Sequence, residues 1–238
     1  MKITITNGKG GTGKTTLTTF FAEYLFRRGK RVLLIDLDPN CCISEVYNHV
    51  LKEETTRLLL TGQKVAPYSV KKNEKGGEIA IIPSELDLSM LSNVKDTQLK
   101  FQIKSQGLEK NYDYVFIDPP GTWNAHNRNA VFAADTIIVC GKCSKLDFAA
   151  TKKYMAELEQ CCLDSEIFVV CNAYNRQRDP GNTLEEFARC FGEFFYATPV
   201  PLINSFQRLV SDNSYEIHAS VETRLENLVK TVIGGQNA

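Results

Sequence analysis

The segment Gly8-Lys9-Gly10-Gly11-Thr12-Gly13-Lys14-Thr15-Thr16 constrains this chain more than any other stretch. It satisfies G-x-x-x-x-G-K-[ST], follows the apolar run Ile3 to Thr6 and opens a segment with helical spacing, the strand, loop and helix context that the pattern needs. Glycines let such a loop curl until successive backbone N–H groups converge on a phosphate, and the helix behind it turns its positive end toward the same anion. In that geometry Lys14 neutralises the β- and γ-oxygens of a nucleotide. Thr15 offers its hydroxyl to Mg²⁺, and Thr16 donates to the α-phosphate.

The rest of the chain repeats the same alternation. Apolar or β-branched runs at Ile3 to Thr6, Arg31 to Asp36, Glu78 to Ile82, Tyr114 to Asp118, Thr136 to Cys140, Ile167 to Asn172 and Phe194 to Val200 predict strands. Most are continuously apolar, as strands buried on both faces are. Helices are predicted over Lys14 to Arg28, Asn127 to Ala134, Phe148 to Cys162, Thr183 to Phe191 and Val221 to Ile233. Strand alternating with helix predicts an α/β fold, a mostly parallel, doubly wound sheet with helices on both faces. No linker or repeat cuts the chain, so one domain over 1–238 is expected, and Lys71 to Glu78 with Gly76 and Gly77 is expected to be a surface turn.

Carboxylates stand where such a sheet binds ligands. The second strand ends in Asp36-Leu37-Asp38-Pro39-Asn40, and alternation puts Asp36 and Asp38 on one face of the carboxyl edge. Tyr114-Val115-Phe116-Ile117-Asp118 is four apolar or aromatic residues and then Asp, the Walker B form, which places Asp118 to hold Mg²⁺ through water. After the sixth run, Asn172-Ala173-Tyr174-Asn175 stands where guanine-specific proteins carry Asn-Lys-x-Asp, which favours adenine and hence ATP.

The early lysine, Lys9, is not demanded by the plain phosphate-loop pattern. With it, the segment resembles the deviant Walker A box of the ParA/MinD family of P-loop ATPases, most of all the short ParA/Soj-type DNA partition ATPases. Asp36-x-Asp38-Pro39 resembles that family's second box, with Asn40 in place of a frequent glutamine. Pro119-Pro120-Gly121 resembles its Asp-x-Pro-Pro switch, with Gly121 in place of the second proline. Glu78 to Leu88, Asn129 to Asp135 and Leu146-Asp147-Phe148 extend the likeness over nearly the entire chain. The resemblance implies that Lys9 reaches the partner's ATP across a nucleotide-sandwich homodimer and that Asp38 positions the attacking water. Asp36 is then its structural or metal-shell neighbour. Asn172 is implied to lie near the adenine, with the Pro199 to Pro201 backbone on its other side. Because the chain starts at the first strand, the short kind without an N-terminal helix-turn-helix extension is expected.

The family likeness implies nonspecific DNA as a ligand and a ParB-like or other adaptor that stimulates slow ATP hydrolysis. Lys and Arg total 28 against 28 Asp and Glu, so bulk charge does not drive DNA binding and a local patch is required. Candidates are Arg176, Arg178, Arg189, Arg208, Arg224 and Lys230. A MinD-like membrane role is the alternative, but Glu222, Arg224, Glu226 and Lys230 sum to zero beside the apolar stripe Val221, Leu225, Leu228, Val229 and Val232, so packing on the domain is expected and no membrane partner. Apolar runs fall far short of the roughly 20 residues of a membrane span, and Met1 leads into no apolar leader, so the eight cysteines are expected reduced in a cytoplasmic, nucleoid-associated protein. Cys140-Gly141-Lys142-Cys143 forms a C-x-x-C that is expected to be structural. An iron–sulfur or redox role is its rival reading, as in metabolic ATPases of the same superfamily.

Overall fold

The computed structural model describes residues 1–48, 53–175, 182–202 and 219–234. The chain runs β1 (Lys2–Thr6), α1 (Lys14–Arg27), β2 (Arg31–Asp36), α2 (Cys42–Val46), α3 (Thr56–Leu60), β3 (Tyr68–Lys72), β4 (Glu78–Ile82), α4 (Gln98–Ser105), β5 (Tyr114–Asp118), α5 (Ala125–Ala133), β6 (Thr136–Lys142), α6 (Lys145–Gln160), β7 (Glu166–Asn172), α7 (Asn182–Phe191), β8 (Phe195–Tyr196) and α8 (Ala219–Gly234). The strands form a single eight-stranded sheet in the order β3-β4-β2-β5-β1-β6-β7-β8. All neighbours are parallel except β3, which pairs antiparallel with β4 at the edge. This is the expected α/β P-loop architecture.

Alternation along the strands supplies both faces at once. Val32 and Leu34 of β2 pack with α1 and with Leu225, Leu228, Val229 and Val232 of α8, while Leu33 and Ile35 pack on the other face with Leu59, Leu99 and Ile103 of α3 and α4. Further along that second face, Ile137, Val139 and Val169 meet Tyr154, Met155 and Leu158 of α6 and Phe187 of α7. Both faces are therefore dry, which is why the central strands read as unbroken apolar runs. Leu225, Leu228, Val229 and Val232 of the expected stripe on α8 are buried in the core, and the side chain of Val221 lies outside the described residues.

Four elements were not predicted. β3, Tyr-Ser-Val-Lys-Lys, is a half-exposed edge strand without an apolar run, and α2, α3 and α4 are too short or too polar to show a period. The run predicted over 194–200 shrinks to the two residues of β8. The expected turn is real but shorter, since Lys71 and Lys72 close β3 and Asn73 accepts from the backbone of Lys75 and Gly77 to fold the reversal.

Candidate functional site

Parallel strands deliver their carboxyl ends to one edge, and the chain's polar chemistry gathers there. β1 runs into the loop 7–13 and then α1. This helix begins on Gly13, at φ +95°, with no side-chain cap and no acidic residue in its first turn. Its first backbone donors are thus left for an anion. Gly13 is required twice over: its positive φ disfavours any side chain, and a Cβ there would meet Nδ2 of Asn172 at 2.1 Å. That asparagine, at the end of β7, donates to the Thr12 carbonyl at 2.8 Å and so braces the loop from outside.

Lys14 is nearly buried and its ammonium donates to the Lys9 carbonyl at 3.4 Å. The Thr15 hydroxyl donates to Oδ2 of Asp118 at 2.7 Å, bringing a loop on β1 and the end of β5 to one point. Burial pushes the Asp118 carboxyl well up from the usual carboxylate range, against the opposing pull of the Thr15 hydrogen bond and the Lys14 charge. A buried carboxylate next to a hydroxyl is a hard-oxygen pair that suits Mg²⁺ completed by phosphate oxygens and water. Residues Thr15 and Asp118 therefore fit a Mg²⁺ site.

Asp36 is placed differently. It pairs in register with Asp118 across β2 and β5, yet its carboxylate accepts from Ser44 Oγ at 2.5 Å, from Ser44 N at 3.1 Å and from Asp38 N at 3.0 Å. Burial and then the charge of Asp118 raise its pKa. Through these hydrogen bonds to α2 and to the backbone Asp36 braces the turn, the structural part of the role expected for it. The strand ends at Asp36, so alternation does not carry on to Asp38. That residue instead lines a cavity of about 650 Å³ together with Gly10, Lys14, Thr15, Asn40, Pro120 and Gly121. Asn40 donates both its backbone and side-chain N–H to Oδ1 of Asp38 at 2.9 Å, which fixes the carboxylate's orientation.

Gly121, the departure from the switch pattern, has a physical reason here. A Cβ at this position would stand 2.9 Å from N and Cα of Gly10 and from Nζ of Lys14, so the switch loop and phosphate loop approach closer than any other residue allows. Gly121→Ala is expected to lower stability by about 1–3 kcal/mol, read from the urea unfolding midpoint. An unchanged midpoint would mean that the two loops separate without cost.

Lys9 has 38% of its side chain exposed, and its ammonium is 3.0 Å from Oδ2 of Asp147, which is 6% exposed. In the sequence Asp147 stands out only as part of Leu146-Asp147-Phe148, with nothing to pair it with Lys9. The available signal was the [ST]-x-x-[DE] capping pattern: Ser144 is the N-cap of α6, its side chain accepts from Asp147 N, and the pattern orients the carboxylate at the helix start. Also unforeseen is the buried net in which Tyr154 and Thr6 share a hydrogen bond at 2.6 Å, Tyr154 donates to Asn127 at 2.6 Å and Asn127 donates to the Pro120 carbonyl at 3.0 Å. It ties the switch loop to β1, α5 and α6.

On the other side of the phosphate loop a smaller cavity of about 200 Å³ is lined by Thr12, Thr16, Phe20, Asn172, Pro201 and Leu202. Asn172 is where an adenine contact was expected, and of the stretch Pro199 to Pro201 expected opposite it Pro201, and not Pro199, lines the wall. Pro199 lies two residues back, just before Val200 turns into the core. Of the basic residues considered for DNA, Arg189 and Arg224 are exposed, on α7 and α8, and Lys230 pairs with Glu226 at 3.2 Å. Arg176, Arg178 and Arg208 lie outside the described residues. No group of three His, Cys, Asp or Glu side chains poised to hold a metal is present among the described residues, and none of their helices is long and apolar enough to cross a membrane.

Comparison with known proteins gives these features a family. A family model described as an AAA domain matches residues 1–163. The chromosome partitioning protein ParA of Caulobacter vibrioides is 28% identical over 213 residues, covering 84% of this chain and 79% of that protein. Two uncharacterised Pseudomonas putida proteins are 35% identical over 149 residues, and the match spans only 55% of their length and 58% of this chain. Among solved structures, apo McdA from Cyanothece superposes with a TM-score of 0.80 at 20% identity, covering 98% of both chains. The septum site-determining protein MinD of Pyrococcus horikoshii, complexed with Mg-ADP, gives 0.77 at 23% identity over 100% of this chain and 98% of that one. With the phosphate loop, the strand-end carboxylates and the sheet order already in place, the chain belongs to the AAA domain family, and proteins named ParA and MinD are among those it is similar to.

Proposed function

We propose that this chain is a single-domain, ATP-dependent positioning switch. It binds ATP with Mg²⁺, pairs with a second copy through a nucleotide sandwich, holds nonspecific DNA as the dimer, and is reset by slow hydrolysis that a ParB-like or other adaptor accelerates. Its work is then to segregate plasmid or chromosomal DNA from a cytoplasmic, nucleoid-associated pool. The observation that carries this reading is that Lys14, Thr15 and Asp38 line one cavity, with Thr15 bonded to the buried Asp118 behind it and a second, partly exposed lysine, Lys9, whose carbonyl accepts from Lys14. The MinD and ParA relatives support it by what they are.

In this reading Gly8, Gly10, Gly11, Thr12 and Gly13 supply the backbone cradle. Lys14 and Thr16 complete the phosphate contacts, and the adenine takes the smaller cavity beside Asn172. Bound Mg²⁺ neutralises phosphate charge, held by Thr15 and, through water, by Asp118. Asp38, its Oδ1 fixed by Asn40, orients a water with its carboxylate. Lys9 leaves Asp147 to meet the neighbour's phosphates. The DNA-contacting set Arg176, Arg178, Arg208 and Arg224 stays with the dimer proposal.

Lys9→Ala separates this switch from a simple ATP-binding domain. The monomer's own cradle is intact, so ATP binding is expected to survive with modest loss. Two triphosphates brought together without the second lysine leave charge uncompensated in a partly dry interface, a cost of about 3–5 kcal/mol. The ATP-dependent dimer, and with it retention on DNA, is therefore expected to be lost. A Lys9→Ala protein that dimerises and holds DNA like wild type would reduce Lys9 to a surface cation.

A further inference from the structure

The C-x-x-C spacing suggests that Cys140 and Cys143 belong together, but the fold separates them. Cys140 is buried within β6, two residues before its end, with its sulfur 3.6 Å from the Thr12 hydroxyl. Cys143 lies one residue past β6, partly exposed, and its thiol donates to the sulfur of Cys171 at 2.6 Å. Parallel pairing of β6 with β7 sets Gly141 against Cys171 and Lys142 against Asn172, so the register itself brings the two sulfurs together across 28 residues of sequence. Van der Waals spacing of two sulfurs is far longer, and an S–S bond needs an approach to about 2.05 Å.

The position of the pair gives it a consequence. Cys143 directly precedes Ser144, the N-cap of α6, whose first turn carries Asp147, the partner of Lys9. Cys171 directly precedes Asn172, which holds the Thr12 carbonyl. A bond between them joins the two outside supports of the phosphate loop.

We propose that Cys143 and Cys171 form a modification site for peroxide-class oxidants, a reversible dithiol whose closure fixes the start of α6 beside the phosphate loop and blocks ATP-dependent pairing of two copies. Partly exposed Cys143 is the attacking thiol. Its sulfur displaces hydroxide from hydrogen peroxide, the O–O bond breaks, an S–O bond forms, and the thiol proton leaves with the hydroxide as water. Cys171 sulfur then attacks the sulfenic sulfur, the S–S bond forms as the S–O bond breaks, and the Cys171 proton leaves with the hydroxyl as a second water. Peroxide takes up the two electrons that the thiols lose. Such reversible, sensing disulfides are the kind found in reducing compartments. The effect on pairing rests on the switch reading above, in which Lys9 must leave Asp147 to reach a second copy.

The test treats the full chain with hydrogen peroxide, alkylates the remaining thiols and maps disulfide-linked peptides by mass spectrometry without reduction. The expected product is a Cys143–Cys171 link that dithiothreitol reverses and that Cys143→Ser, or Cys143→Ala should the serine variant not fold, cannot form. Sedimentation with ATP is expected to show loss of the dimer in oxidised wild type and a dimer in equally treated Cys143→Ser. Both cysteines remaining open to alkylation while exposed Cys42, Cys162 and Cys190 oxidise would overturn the proposal, as would a Cys140–Cys143 link or a linked protein that still dimerises. If reduced wild type forms no dimer with ATP, the switch reading fails, and the peptide map still decides the dithiol.

Discussion

Lys14→Ala is expected to abolish ATP binding at micromolar nucleotide. The side chain is nearly buried between the phosphate loop and the switch loop, so its charge acts through little water. Removing one partner of such a hydrogen-bonded charge pair costs about 2–5 kcal/mol, which is roughly one and a half to three and a half decades in Kd. Alanine also leaves space between Gly10 and Gly121, since Lys14 Nζ fills the approach that a Cβ on Gly121 would contest. The folded sheet does not depend on this lysine, so the far-ultraviolet circular dichroism spectrum is expected to stay unchanged while calorimetric heat of ATP binding disappears. Retained micromolar affinity would remove the phosphate-loop assignment.

Asp38→Ala is expected to have the opposite profile. The carboxylate lines the main cavity, and the hydrogen bonds that orient it come from the backbone and side chain of Asn40. ATP affinity should therefore stay within a few-fold of wild type, while loss of a positioned proton acceptor lowers hydrolysis by about 10²–10⁴-fold. Released phosphate measured under single turnover reads this directly, and the same variant should accumulate as an ATP-bound dimer on a sizing column. Wild-type turnover would take the water-positioning role away from Asp38. Asp36→Ala is not an equivalent control, because it strips the brace from Ser44 and Asp38 and leaves the turn itself without support.

How far these residues could be read without a structure follows from where their information lies. The phosphate loop is legible because its constraints are local: glycines at positions needing positive φ, a helix start without a cap, and a lysine and threonines at fixed offsets. The central strands are legible because both faces of the sheet are dry. β3 is not, since an edge strand with one wet face and Lys71 and Lys72 at its end carries no apolar run. The helices α2 and α3 span a little over one turn each, too little for a period to register. At the site, what the sequence leaves out is set by distant contact. Asp147 finds Lys9, Tyr154 finds Asn127 and Cys171 finds Cys143 only after the sheet has set their strands and helices side by side. Gly121 is the instructive case: as a break in a pattern it looks like a defect, and as a backbone 2.9 Å from Gly10 it is the residue that the packing requires.

The central claim is that ATP, and not ADP, joins two copies of this chain, and sedimentation velocity of the reduced wild-type protein with each nucleotide and Mg²⁺ tests it most directly. The switch account predicts a monomer of 26.7 kDa without nucleotide and with ADP, and a species of twice that mass with ATP that co-sediments with nonspecific duplex DNA and leaves it as salt is raised. A monomer in all conditions, or a dimer of the same abundance with ATP, ADP and no nucleotide, would contradict it.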